Sequence, residues 1–354
     1  MSSEAAPIEV ALSCPAPLVA TERVLLGHGS GGKMTADLVA RYFLPAFGNR
    51  YLDRLDDQAV LDVGGARLAF TTDSYVVSPL FFPGGDIGTL AVNGTVNDIA
   101  MAGARPLYLS AGFILEEGFP LADLRRIASS MSAAAQAAGV LLVTGDTKVV
   151  DRGKADGCFI NTAGLGTVPP GVEISAQGAR PGDLVVLSGP IAEHGMTIMA
   201  TRAELELESP IASDTAPLHE LVRAMLDTGG ALHCLRDPTR GGVATAMNEI
   251  ARQSGVGIVL DETAIGVREP VRGVCELLGL DPLYVANEGK LLAVVAPGDV
   301  DRVLASMRAR ADGRDAQIIG VVVEDPERLV VLKTRIGGRR IVDMLQGDQL
   351  PRIC

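Results

Sequence analysis

A stretch rich in proline and glycine, VPPGVEISAQGARPGD at residues 168–183, divides the chain near its middle. Neither a helix nor a sheet strand runs easily through it, because proline lacks a backbone N–H and glycine is costly to order. Such a composition is typical of a boundary between domains. With 354 residues in all, each half is long enough to bury a core of its own. We therefore expect one domain at residues 23–168 and a second at residues 169–335.

Both halves mix strands and helices without the strict alternation of a parallel α/β sheet. In the first half, ARLAFTTDS is predicted to be a strand, and DIGTLAVNGTVNDIAMAG a helix that Asp86 caps and Gly103 ends. In the second half, strands such as DLVVLSG and VGIVLDE are separated by helices at irregular intervals. This pattern favours an α+β fold, with a mixed sheet packed against helices in each domain.

The two ends of the chain lack such patterns. Residues 1–22 are predicted to be poorly ordered, and the periodicity stops at IGGRR, so residues 336–354 are expected to form a mobile tail. The tail ends in PRIC, with Cys354 as the last residue. A thiol at the tip of a chain is not core filler, which indicates a chemical role for it.

Composition excludes several classes of function. The net charge is −12, which argues against nucleic-acid binding and predicts that an ATP-using site here needs Mg²⁺. The longest uncharged run is interrupted by polar residues, so no membrane span or signal peptide is predicted. The five cysteines form no CxxC pair, which favours a reducing cytoplasm over a disulfide framework or a zinc site. Three of them, Cys158, Cys234 and Cys275, lie in apolar stretches and are predicted to be core residues.

The loop GHGSGGK at residues 27–33 matches two nucleotide-binding patterns incompletely. A P-loop needs Ser or Thr after the lysine, and Met34 stands there instead. A dinucleotide site needs an acid at the end of a second strand, and the sequence YLDRLDD is not a buried strand. A plain glycine turn remains possible, but we favour a cover whose backbone N–H groups close over phosphates. The predicted phosphate-binding residues are Gly29, Ser30, Gly31, Gly32 and Lys33, and His28 is a further candidate.

Five aspartates each end a strand or loop next to a glycine or another small residue. Any one of them alone is more often a helix cap or a turn former. Together they predict a carboxylate cage for one or more Mg²⁺ ions, because Mg²⁺ prefers a few carboxylates, waters and phosphate oxygens. The predicted cage consists of Asp57, Asp73, Asp98, Asp146 and Asp237.

The motifs as a set closely resemble the HypE family of hydrogenase maturation proteins. They run in matching order from about residue 23 to the end: GHGSGGK, DDQAVLD, TTDSYVVSPLFFPGGDIG, GTVNDIAMAGA, FILEEG, VTGDTKVV, RDPTRGG, RGVCELLGLDPL, NEGKL and PRIC. This resemblance implies a PurM-like architecture of two α+β domains, a homodimer, and ATP–Mg²⁺ held by the five aspartates at the dimer groove. The related selenophosphate synthetases carry a reactive Cys or selenocysteine within the glycine-rich loop, and this chain has none there.

The resemblance also implies a reaction. A carbamoyltransferase, HypF, loads a carbamoyl group onto the C-terminal cysteine, here Cys354. ATP then drives its dehydration to a thiocyanate, and the cyano group passes to iron on the HypC–HypD complex. Dehydration of an amide needs phosphorylation of its oxygen, charge neutralisation around the transferred phosphate, and a base for the N–H protons.

Two further residues are predicted to take part in the chemistry. Lys148 lies two positions after Asp146, so on an extended strand both side chains point to the same side. Glu288 is followed by a glycine, which permits close approach of the backbone. By resemblance, Lys148 and Glu288 match the pair implicated in deprotonating the amide nitrogen. Without it, a surface lysine and a strand-end turn are the simpler interpretations.

Two alternatives to this dehydratase stay open at this stage. One is a small-molecule synthetase or kinase of the same superfamily, and the other is a carrier that only presents a modified cysteine. Among the histidines, His194 is predicted to be structural, and His219 and His233 are predicted to have no role in the chemistry.

Overall fold

The computed structural model describes residues 23–205 and 207–345, together with residues 347, 350 and 352–354. The predicted disorder of residues 1–22 therefore lies outside the described part of the chain. Within the described part, no helix combines the length and the apolar character that crossing a membrane requires.

The first domain is a mixed sheet with helices packed on it. Its strands are β1 (Ala59–Val63), β2 (Ala66–Tyr75), the short pair β3 (Phe81–Phe82) and β4 (Gly85–Asp86), β5 (Arg105–Glu116), β6 (Leu141–Val150) and β7 (Cys158–Thr167). The five long strands pair in the order β1-β2-β7-β5-β6, and only β5 and β6 are parallel. Before them come α1 (Lys33–Leu38), a π-helical turn (Val39–Phe43) and α2 (Leu44–Phe47), and the sheet is covered by α3 (Ile87–Met101) and α4 (Leu121–Ala138).

Helix α3 is buried around nearly its whole circumference, because it packs between the sheet of the first domain and the second domain. Its N-terminus is capped by Asp86, whose carboxylate accepts the Thr89 N–H at 2.9 Å. Asn97, near its C-terminal end, accepts the Leu218 N–H at 2.8 Å and so ties the helix to the second domain. Asp98 is the only charged residue of α3, so its place on this buried helix makes it a candidate for the functional site.

The second domain is a seven-stranded sheet in the order β14-β13-β10-β12-β8-β11-β9. Its strands are β8 (Leu184–Leu187), β9 (Leu232–Arg236), β10 (Gly257–Asp261), β11 (Leu292–Val295), β12 (Gln317–Val323), β13 (Val330–Lys333) and β14 (Arg339–Ile341). Its helices are α5 (Glu193–Arg202), α6 (His219–Leu226), α7 (Gly242–Ser254), α8 (Glu269–Leu278) and α9 (Val300–Arg308). Both domains thus confirm the α+β fold class, and residues 168–183 between them contain neither helix nor strand.

The segment predicted as a tail contains regular structure. Strand β14 pairs antiparallel with β13, and the chain then buries Val342 and Leu345. All three residues of β14 are exposed, so hydrogen bonding and not burial holds the strand, and no apolar periodicity marks it in the sequence. The expectation that regular structure ends before residue 336 is therefore wrong. Further on, Ile353 and Cys354 are also buried, between the two domains.

Candidate functional site

A cavity of about 250 Å³ opens where the two domains meet. Strand β2, helix α3, the loop after β9, the start of α7 and the segment before β11 all reach it. Its charged and reactive side chains are Asp57, Asp73, Asp98, Arg236, Asp237, Arg240, Glu249, Glu288 and Cys354. Four of the five predicted cage aspartates, the predicted base and the terminal cysteine therefore lie around one space.

The aspartates of the cavity repel one another. Burial raises the pKa of Asp98 well above its usual value, and the charges of Asp237 and Asp73 raise it further, although the Thr71 hydroxyl donates to it at 2.8 Å. Burial also raises the pKa of Asp57, against the pull of Arg236 at 3.1 Å. The pKa of Asp237 rises to about 6, chiefly through burial. The acids outnumber the arginines of the cavity, and a bound cation would offset this excess of negative charge.

Two arginines partly offset this excess of negative charge. Arg236 bridges Asp57 and Glu249, with the Glu249 carboxylate at 2.5 Å. Arg240 lies 4.0 Å from Asp73 and also donates to the Gly29 carbonyl at 3.1 Å. Arg240 therefore connects the acids to the glycine-rich loop, and both arginines are available to anionic groups entering the cavity.

Glu288 contributes a buried carboxylate to the cavity. Its side chain is buried, and its Oε1 has no hydrogen-bond partner in the described part of the chain. Burial raises its pKa well above the usual range, and Asp237 and Asp73 add to the rise. A Cβ on Gly289 would stand 1.8 Å from the Asp214 carbonyl oxygen, so the close backbone approach predicted there is present. A buried acid with a raised pKa is suited to general base chemistry.

The thiol of Cys354 lies in the same cavity as Glu288. Burial raises its pKa well above the usual value, and Arg240 offsets only part of that rise. The docked thiol is therefore protonated and a poor nucleophile. The other described cysteines, Cys158, Cys234 and Cys275, are buried core residues as predicted.

Asp146 and Lys148 do not line the cavity. They lie on β6, both about two-thirds exposed, with the Lys148 ammonium 2.7 Å from the Asp146 carboxylate. The hydrogen bond from Lys148 lowers the pKa of Asp146. Strand β6 is three strands away from β2, roughly 14 Å at the usual strand spacing. Within one chain, the structure separates this pair from the other predicted site residues.

The glycine-rich loop contacts the start of the tail. A Cβ on Gly32 would stand 2.2 Å from the Leu345 carbonyl oxygen, which also accepts the Lys33 N–H at 2.8 Å. The Lys33 ammonium pairs with Asp343 and does not line the cavity, and Ser30 donates to the Gly27 carbonyl. Of the predicted loop residues, Gly31 alone lines the cavity.

His28 in this loop accepts the Leu25 N–H through Nδ1 at 2.9 Å. The direct contact between loop and tail has no counterpart in the sequence prediction.

Sequence reasoning missed two residues that shape this site. Asn287, fully buried, accepts the Ala192 N–H at 2.7 Å and donates to the Pro238 carbonyl at 2.9 Å, so it ties the neighbours of Asp237 and Glu288 together. Arg240 falls within the quoted motif RDPTRGG, three positions after Asp237. Both sit inside motifs that the acids already marked, which is the signal that would have found them.

The donor set of the cavity fits Mg²⁺ in its chemistry. The acids offer carboxylate oxygens, the ligands that Mg²⁺ prefers. Among the described residues, however, no three His, Cys, Asp or Glu side chains lie close enough together to hold a metal by themselves. A bound Mg²⁺ would therefore take its other ligands from phosphate and water.

Comparisons with known proteins match the chain over nearly its whole length. The family models for AIR synthase related proteins match residues 55–168 with the N-terminal domain and residues 180–333 with the C-terminal domain. The carbamoyl dehydratase HypE of Azotobacter vinelandii is 59% identical over 327 residues, which cover 92% of this chain and 96% of that protein.

Solved structures give the same result. A HypE–HypF complex contains a chain that is 48% identical, with a TM-score of 0.83, covering 87% of this chain and 99% of its own. A HypE structure in complex with ATP is 49% identical, with a TM-score of 0.79, covering 94% and 100%.

Proposed function

The chain belongs to the HypE family of carbamoyl dehydratases, and we propose that its substrate is a carbamoyl group carried on its own Cys354. ATP drives the loss of water from that group, which leaves a thiocyanate on the sulfur. The product supplies the cyanide ligands of the [NiFe]-hydrogenase iron, in keeping with the role of the family in hydrogenase maturation. The observation that carries this proposal is that Cys354 lies in one cavity with the buried carboxylate of Glu288 and four aspartates.

The residues around Cys354 match the needs of the reaction. The amide oxygen takes the γ-phosphoryl group of ATP and leaves as phosphate, while the nitrogen loses both protons and becomes a nitrile. Glu288 accepts a proton from nitrogen, since its buried Oε1 bonds to none of the described residues and its raised pKa makes it a stronger base than an ordinary carboxylate. Arg240 lies near the acids, where the charge of the transferred phosphate is to be neutralised.

Mg²⁺ is the proposed metal, and Asp57, Asp73, Asp98 and Asp237 are the residues that would hold it. When bound, it neutralises charge on the ATP phosphates. The raised pKa of three of these acids supports the assignment, because each would be lowered by a nearby divalent cation. Gly31 and its neighbours in the loop are proposed to cover the phosphates.

A homodimer is proposed as the active unit. Strand β6 lies at the edge of its sheet, and its apolar residues Leu141, Val143 and Val149 are exposed. An exposed apolar edge strand is an unfavourable surface for a monomer in water. If a second copy covers this strand, Asp146 and Lys148 come close to a cavity that is not their own. This arrangement accounts for their absence from the cavity within one chain.

The proposed partners follow from the reaction. A HypE–HypF complex has been solved for a relative, which supports HypF as the carbamoyl donor here. The HypC–HypD complex is the proposed acceptor of the cyano group. Both steps need the tail to leave the cavity, so the tail is proposed to be mobile during the cycle. The proposed location is a reducing cytoplasm, which keeps the thiols free.

Mass spectrometry of the C-terminal peptide tests the function. The purified chain, incubated with HypF and a carbamoyl donor, is expected to gain the mass of one carbamoyl group on Cys354. Addition of Mg²⁺ and ATP is then expected to remove the mass of one water. Loss of water without ATP, or the same loss in a Cys354→Ala variant, contradicts the proposal. If deletion of residues 351–354 leaves ATP turnover intact, the chain instead acts on a small molecule.

A further inference from the structure

The last three residues dock through their main-chain oxygens. A main-chain oxygen of Cys354 accepts the Val76 N–H at 3.0 Å, and the Arg352 carbonyl accepts the Ser78 N–H at 3.1 Å. Val76 and Ser78 directly follow β2, the strand that carries Asp73. The tail therefore docks along the segment that follows β2 through two main-chain hydrogen bonds.

The carbonyl of Ile353 lies between these two acceptors along the chain and is bound by a different donor. It accepts a hydrogen bond from Nε2 of His194 at 2.7 Å, in a fully buried environment. A buried carbonyl without a partner is costly, so this contact decides whether the tail stays in this register. His194 is the second residue of α5, and Arg202 at the other end of that helix donates to the Arg352 carbonyl.

The ring of His194 is set for this task by its other nitrogen. A carbonyl can only accept, so Nε2 carries the proton, and Nδ1 then accepts from the Ser213 hydroxyl at 2.8 Å. Burial lowers the pKa of His194, which keeps the ring neutral and fixes this tautomer. The edge of Phe82 packs against the ring at a centroid distance of 5.6 Å.

The helix that carries His194 is connected to the catalytic acids. Helix α5 begins after Ala192, which adopts a φ of +74° although it is not glycine. Such a conformation persists only where its surroundings impose it. Here the Ala192 N–H donates to Asn287, the residue before Glu288. The hydrogen bond between Ala192 and Asn287 therefore links the helix that carries His194 to the segment that carries Glu288, the proposed base.

We propose that His194 is a positioning residue for the reaction, which holds the Ile353 carbonyl so that the side chain of Cys354 enters the acid-lined cavity. Ser213 sets the tautomer that this task requires. The inference rests on the proposed function, since a positioned Cys354 matters only if the chemistry occurs on it. Both ring nitrogens are occupied, so His194 does not exchange protons with the substrate.

The test measures docking directly, on the full chain without ATP or partner. The alkylation rate of each cysteine with iodoacetamide is followed by peptide mapping in the wild type and in His194→Phe and His194→Gln variants. Phenylalanine keeps the ring shape and removes the donor, whereas the glutamine amide restores an N–H donor. Loss of one buried hydrogen bond is expected to raise the rate at Cys354 on the order of tenfold to a hundredfold in the Phe variant. The Gln variant is expected to return most of the protection.

The buried cysteines Cys158, Cys234 and Cys275 report on the fold in the same experiment. No rise at Cys354, or an equal rise at all four cysteines, overturns the proposal. A Ser213→Ala variant, which leaves the His194 ring in place, is expected to raise the Cys354 rate by a smaller factor. An unchanged rate there overturns the role of Ser213.

A kinetic measurement separates this proposal from the proposed function. In carbamoylated protein, His194→Phe is expected to lower the single-turnover rate of water loss in proportion to the fraction of tails left docked, with the half-saturating ATP concentration unchanged. A changed ATP requirement with unchanged docking contradicts positioning. If no variant, including the wild type, loses water with ATP, the proposed function fails while the alkylation result still decides the docking.

Discussion

Glu288 is kept at a cost to the folded state. Its Oε1 lacks a hydrogen-bond partner among the described residues, and burial, together with the charges of nearby acids, raises its pKa. A carboxyl whose pKa is raised by folding makes the protein less stable as pH rises from the ordinary carboxyl range to the raised value. The burial that makes Glu288 destabilise the folded protein also makes it a stronger base, as its proposed role requires.

A Glu288→Gln variant should therefore be more stable and less active. The free energy of unfolding at pH 8 is expected to rise by about 1–3 kcal/mol, while at pH 4, where the wild-type carboxyl is protonated in both states, the two proteins should be alike. Water loss from carbamoylated Cys354 is expected to fall roughly 10²- to 10⁴-fold, the usual contribution of a general base. Denaturant titrations at both pH values, with mass spectrometry, check this. Equal stability at pH 8 would contradict the assigned environment of Glu288.

Asp237 predicts how nucleotide binding depends on pH. Its pKa is raised to about 6, so it is protonated below that pH and available to a cation above it. We expect the affinity for Mg²⁺–ATP to increase from pH 5 to pH 7.5, with the steepest change near pH 6. Calorimetry of an Asp237→Asn variant, beside the wild type, should show weaker binding and a flatter profile. A profile of equal slope in both proteins would assign the dependence to another group.

At the level of elements, the sequence predicts those residues and strands that a pattern of neighbouring residues marks. Asp73 and Asp98 were predicted because each was expected to end a strand or loop beside a small residue, whereas Glu288 was predicted from the family resemblance together with the glycine that follows it. Strand β14 was not predictable, since its three residues are exposed and their pairing depends on β13. His194 carries no local signal either, because the carbonyl that it binds lies 159 residues away along the chain.

The contact between Gly32 of the glycine-rich loop and Leu345 predicts that adding one methyl group at Gly32 disturbs the docked tail. In a Gly32→Ala variant the new Cβ would meet the Leu345 carbonyl, so the chain leading to the docked tail must shift. We expect faster alkylation of Cys354 and a loss of about 1–3 kcal/mol in stability, as for other overpacked sites.

Gly29→Ala is the matched control, since a Cβ there meets nothing within 4 Å. Its alkylation rate and stability should stay at wild-type values. Similar effects of the two substitutions would show that the loop as a whole, and not its contact with Leu345, controls the tail.

At the level of the whole molecule, the cavity of one chain contains some of the predicted site residues and not others. Four aspartates, Glu288 and Cys354 meet within one chain, whereas Asp146 and Lys148 stay on the exposed strand β6. Sequence motifs group these residues by chemistry and cannot tell which belong to the same copy. The separation is a property of the sheet order, which places β6 at the far edge.

Mixing two inactive variants tests whether the site is shared. If Lys148 serves the cavity of a second copy, a dimer of one Lys148→Ala chain and one Glu288→Gln chain keeps one intact site. Random exchange at equal amounts then restores about a quarter of wild-type turnover, because half of the dimers are mixed and each has one active site of two. No recovery after exchange means that both residues act within one chain. Lys154→Ala, on the same domain, serves as a fully active control.

The docked position of Cys354 has a consequence for the kinetics of the reaction. The carbamoyl group on Cys354 is attached to the same chain as the cavity. Its local concentration at the cavity is therefore set by the length of the tail and not by the amount of protein. The reaction is therefore first order in loaded chains, with a rate constant unaffected by dilution until the proposed dimer dissociates. ATP alone shows saturation, and steady-state throughput depends on how quickly other proteins load and empty the tail.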